Sequence, residues 1–142
     1  MSKTIFQECD ESVYALQVEL LNEFHLNLRN ANIKCLFYDK PKRRGGNIVL
    51  GTAEAVTPKI NYLTDIDFII SIYKGTWNIM AEQERKALID HEMSHCFVGE
   101  DSEGNPVYKI IPHDLEEFKT IIERYGMWQD NIQMGCADIE EG

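Results

Sequence analysis

At 142 residues and 44% hydrophobic, the chain is long enough for one compact domain with its own core and too short for two comfortable ones. A formal charge of −10, from 24 acidic and 14 basic residues, opposes nonspecific attachment to nucleic acid or anionic membrane. No apolar run reaches the roughly 18 residues of a membrane span, and Met1-Ser2-Lys3-Thr4 does not open a secretory signal, so the expected compartment is the cytoplasm.

Val13, Leu16, Leu20, Leu21, Phe24 and Leu28 recur at three- and four-residue steps, which predicts an amphipathic helix over about 11–30. Ile33-Lys34-Cys35-Leu36-Phe37-Tyr38 reads as a strand, and Asn47 to Ala53 reads as a second. Between them Lys40-Pro41-Lys42-Arg43-Arg44-Gly45-Gly46 gathers four cations beside a Gly pair, and the expectation is a hairpin closed by this basic turn. The turn is either solvated or a contact surface for an acidic partner or a phosphate backbone. Pro58 interrupts the pattern, leaving 54–64 as loop or short helix. Ile66, Phe68, Ile70 and Ile72 alternate onto one face of a strand over 66–73. After Trp77, a helix is expected with Asn78 as N-cap, acidic residues early and Gly99 as its stop. Residues 100–105 form a polar turn, 107–111 a short extended segment closed by Pro112, and His113 opens a last helix running to Gly126. These elements predict an α+β fold in a single domain over 1–142, with an acidic, flexible tail from about 130.

Inside the second long helix lies His91-Glu92-Met93-Ser94-His95. Side chains four apart stack on one helical face, so both imidazoles can reach one ion while Glu92, one step round, addresses a bound water. That is the arrangement of a zinc hydrolase: His91 and His95 as metal ligands and Glu92 as general base. The bland alternative is a helix with two satisfied histidines near a core. The four cysteines, Cys9, Cys35, Cys96 and Cys136, form no Cys-x-x-Cys pair, and Cys96 points about 100° away from His95 on a helix. A small buried side chain suits it better than a ligand.

A catalytic zinc site needs a third protein ligand and an open position for water. His113, at the start of a helix just behind Pro112, is the leading candidate, with Glu116, Glu117 and Asp101 as alternatives. His25 is the only other imidazole, placed on the polar flank of the first helix. Tyr125 and Tyr108 are candidate donors to a developing oxyanion. Asp90 and Asp114 adjoin His91 and His113 and could orient an imidazole, although a solvated carboxylate or helix cap is the simpler reading of each. Strand 66–73 is the expected template for an extended substrate, and Trp77 and Trp128 read as core or pocket-wall aromatics.

The His-Glu-Met-Ser-His helix, preceded by Asp67-Phe68-Ile69-Ile70 and Trp77 and followed by His113-Asp114, Glu117-Phe118, Tyr125-Gly126 and Trp128, resembles the putative phage metallopeptidase family over roughly 33–128. More distantly it is similar to the SprT-like proteases. The resemblance implies a minimal zincin fold: an N-terminal helix, an antiparallel or mixed sheet of three to four strands, the active-site helix, and a C-terminal helix carrying the third ligand. It also implies peptidase chemistry on a peptide or protein substrate with Zn2+ as cofactor. Asp114 stands where a Gly usually follows the His in the SprT-like pattern, and no zinc ribbon is present, which weakens transfer of a DNA-associated role. Two other classes remain open beside the peptidase: a zincin-fold binding module engaging a host protein, and a zinc hydrolase of a non-peptide bond.

Overall fold

The computed structural model describes residues 3–112 and 125. The expected last helix as a whole, His113, Asp114, Glu116, Glu117, Trp128 and the acidic tail lie outside the described residues. Chain order is β1 (Phe6–Glu8), α1 (Glu11–Phe24), a 3-10 turn (Leu26–Leu28), β2 (Ile33–Tyr38), β3 (Arg43–Arg44), β4 (Asn47–Ile48), β5 (Gly51–Ala55), α2 (Pro58–Thr64), β6 (Phe68–Tyr73), α3 (Lys74–Trp77), α4 (Glu82–Ser94), β7 (Cys96–Glu100) and β8 (Pro106–Ile110). The α+β expectation holds, with a mixed four-stranded sheet in the order β1-β2-β6-β5.

Pairing within that sheet corrects the expected hairpin. β2 does not meet β5; β6 inserts between them, parallel to β2 from Ile33↔Phe68 to Tyr38↔Tyr73 and antiparallel to β5 from Gly51↔Ile72 to Ala55↔Phe68. The reason lies in composition. Phe68-Ile69-Ile70-Ser71-Ile72 is nearly continuous in apolar residues, as suits a strand covered on both faces, whereas Gly51-Thr52-Ala53-Glu54-Ala55 tolerates an edge. The hairpin that does form lies within the basic turn itself, where Arg43 and Arg44 pair with Ile48 and Asn47. Gly45 and Gly46 make that reversal at φ of 56° and 83°, a left-handed pair that side chains resist.

Helix α1 starts at Asp10, whose carboxylate accepts from the Ser12 backbone N–H, and stops at His25 instead of continuing to 30. Of the segment 54–64, Glu54 and Ala55 complete β5 and Pro58–Thr64 forms α2, with Thr57 as N-cap and Pro58 in its first turn. Asn78 is not the cap of the histidine helix. It closes the short α3, and α4 begins after Ala81, whose N–H donates to Glu84 Oε1 at 2.8 Å. Arg85 fastens this junction, donating Nε–H to the Trp77 carbonyl at 2.9 Å with its guanidinium over the indole ring. The helix also ends before Gly99, at His95, and Cys96–Glu100 pairs with Pro106–Ile110 as a separate hairpin.

Phe68, Ile70 and Ile72 of β6 are fully buried, as are Leu88, Ile89 and Met93 of α4 and Val13 and Leu20 of α1. Each such side chain contributes about 1.5–3 kcal/mol of burial, so α4 is held by its packing against α1 and the sheet and not by helix propensity alone. Ile66, expected on the same strand face, falls in the turn before β6. Trp77 is core, 2% exposed.

Candidate active site

His91 and His95 lie on one face of α4 although His95 is already the helix cap, because its backbone keeps helical angles, φ −77° and ψ −19°. Their rings stand edge to face with centroids 5.1 Å apart. His91 is fully buried and His95 nearly so. His95 Nδ1 lies 2.7 Å from the Ile111 carbonyl, which can only accept, so Nδ1 carries a proton and Nε2 is the nitrogen that offers a lone pair when the ring is neutral. A backbone carbonyl fixing the tautomer from the far side of the ring is the usual second support of a metal-ligating imidazole. Ile111 N–H returns a bond to the His95 carbonyl at 2.8 Å, so the end of β8 grips this residue twice.

Glu92 is fully buried against the edge strand. A Cβ on Gly51 would lie 3.5 Å from Glu92 Oε2, 3.5 Å from Leu88 Cδ1 and 3.0 Å from the Ser71 carbonyl oxygen. Gly51 is therefore the residue that lets β5 pass over α4 at the carboxylate, a close approach that a glycine within a strand signals. Gly51→Ala is expected to cost about 1–3 kcal/mol as an overpacked contact, and Gly51→Val to displace Glu92 as well. Thermal melts of the two variants check this: both should melt below wild type, and the Val variant lower than the Ala variant.

Asp90 overturns its expected reading. It is fully buried, accepting from His25 Nε2–H at 2.6 Å on Oδ1 and from the Tyr125 hydroxyl at 2.8 Å on Oδ2. One residue before His91 on a helix, it is turned about 100° away, toward α1 rather than toward His91 and His95. His25 is thus neither a ligand nor on a polar flank; it caps α1, is 8% exposed, and ties α1 to α4. Tyr125 is held by the same carboxylate. Tyr108 packs edge-on against Phe68.

Asp101 stays apart from the histidines. Its Oδ1 accepts from the backbone of Glu103 and Asn105, which holds its carboxyl below the usual range and closes the β7–β8 turn, while His95 lies at the other end of that hairpin. Cys96 is buried, and burial pushes its thiol up; Sγ–H faces the Glu92 carbonyl at 3.7 Å, a packing role. Among the described residues no group of three or more His, Cys, Asp or Glu side chains is placed to hold one ion. Strand β6 cannot template a substrate, since β2 and β5 occupy both of its edges; β5 is the edge beside Glu92.

A mixed sheet over a helix that buries two imidazoles on one face and a carboxylate against the edge strand defines a small zincin-like α+β protein. The chain belongs to the family described as putative phage metallopeptidase, whose model matches residues 6–135. No curated protein and no solved structure matches it. Membership makes a metal and a peptidase class part of the description. No helix among the described residues is long and apolar enough to cross a membrane.

Proposed function

We propose that the protein is a zinc-dependent peptidase, encoded by a phage or prophage, in which His91 and His95 supply two ligands, His113 the third, and Glu92 the general base. The observation that carries this reading is the His95 ring, pinned at Nδ1 by the Ile111 carbonyl, which leaves Nε2 as its metal-binding nitrogen, with the His91 ring 5.1 Å away. Two neutral nitrogen donors on one helical face fit Zn2+, whose tetrahedral sites take such ligands. When bound, zinc acidifies a water and polarises a scissile carbonyl. Glu92 takes the proton from the attacking water and delivers it to the leaving amine nitrogen. An extended peptide adds to the outer edge of β5, which no other strand among the described residues pairs with, its backbone paired and its reactive carbonyl brought to Glu92 at the Gly51 end.

The test is metal analysis of the purified protein. One zinc per chain is expected, and His113→Ala should weaken binding by more than about 100-fold, since even outer-sphere partners of a ligand are worth roughly 10–100-fold. Zinc held at wild-type affinity in His113→Ala would remove that residue from the ligand set, and the same comparison with Glu116→Ala and Glu117→Ala would locate its replacement.

A further inference from the structure

A groove of about 470 Å³ opens between α2 and β8, within the roughly 300–1,000 Å³ range of ligand clefts. Val56, Pro58 and Val107 form apolar walls, Tyr108 and Asn61 add polar tips, and Asp67 is the one charged side chain among the lining residues. Asp67 is 8% exposed, and its two oxygens accept from the Asn32 N–H and from the Asn61 amide, each at 2.8 Å, so the carboxylate is fixed in place with lone pairs to spare.

Two strands connect this groove to the histidines. β5 leaves Gly51, beside Glu92, and reaches Val56 five residues later; β8 leaves Val107 and reaches Ile111, bonded to His95, four residues later. At about 3.3 Å per residue the two paths give roughly 13–17 Å, the length of four to five residues of extended peptide. A peptide pairing antiparallel to β5, the more stable arrangement, runs from the groove toward Glu92, so its residues over the groove precede the scissile bond.

We propose that this groove is a substrate subsite taking a Lys or Arg side chain about four to five residues N-terminal to the scissile bond. The proposal rests on the peptidase reading above. The methylenes of such a side chain cover the Val and Pro walls while its cation meets Asp67, a division of labour long basic side chains make readily.

The experiment is cleavage of a peptide library varied at each of the six positions before the scissile bond, by wild type, Val107→Lys and Val107→Glu, reading within each protein the ratio of Lys to Ala at every position. Both substitutions leave the Asp67 hydrogen bonds in place. Wild type should favour Lys roughly tenfold at the fourth or fifth position, as expected of a charge-assisted contact to a largely buried carboxylate. Val107→Lys should abolish that preference and Val107→Glu strengthen it. Anisotropy of labelled peptides on Glu92→Gln should rank Lys above Ala and Glu in the same order. Cleavage with a flat profile at these positions, or a preference indifferent to both Val107 variants, overturns the subsite and leaves the peptidase reading standing. Neither cleavage nor peptide binding by any variant overturns both.

Discussion

Glu92→Gln is expected to lower peptide hydrolysis by roughly 10²–10⁴-fold while zinc content and melting temperature stay close to wild type. Gln has the shape of Glu, so the close approach to Gly51 survives and only basicity is lost. The environment sharpens the expectation. A carboxylate with no exposure meets no bulk water, so the proton it takes must come from a group brought into the site, and no solvent base replaces it. Cell extract incubated with wild type should show new peptide termini that are missing after incubation with Glu92→Gln. Hydrolysis undiminished in the variant would exclude Glu92 as the base, whatever the metal analysis shows.

The parts of the site visible in sequence are those that depend on helical spacing alone. His91, Glu92 and His95 are placed by a four-residue interval, which survives even though the helix starts three residues later and ends sooner than the capping signals suggest. Strand alternation was equally legible: Phe68, Ile70 and Ile72 share one buried face as their period requires. What the sequence hid was partner choice between distant segments. β2 and β5 are near in sequence, and the apparent hairpin between them fails because β6, which starts thirty residues beyond the end of β2, is the more apolar neighbour for both. β1 is not legible in the sequence because three exposed residues carry no pattern. Gly51 had left a signal, a glycine inside a predicted strand, whose meaning appears only once Glu92 lies beneath it. His25 and Asp90 are sixty-five positions apart, and nothing local in either neighbourhood announces that they meet.

That buried contact carries the second large effect. Asp90→Leu is expected to destabilise the protein by about 3–5 kcal/mol, because it fills the space but leaves the buried His25 N–H and the partly buried Tyr125 hydroxyl without their acceptor. For a chain of this size the loss corresponds to a fall of roughly 10–20 °C in melting temperature. Asp90→Asn should be milder, about 1–2 kcal/mol: its carbonyl still accepts from Tyr125, and its amide can donate to His25 Nε2 once the imidazole proton moves to Nδ1. The order Leu worse than Asn separates hydrogen bonding from packing, since Leu is the better apolar filler. Because Asp90 immediately precedes His91, the same bonds set the rotation of α4 about its axis and hence the direction in which the His91 and His95 imidazoles point. Asp90→Asn is therefore expected to keep zinc at near wild-type affinity, whereas folded Asp90→Leu should bind it measurably more weakly. Melting curves for Asp90→Leu that overlay wild type would show that His25, Asp90 and Tyr125 meet without stabilising the helix, and would remove the account of how it is aligned.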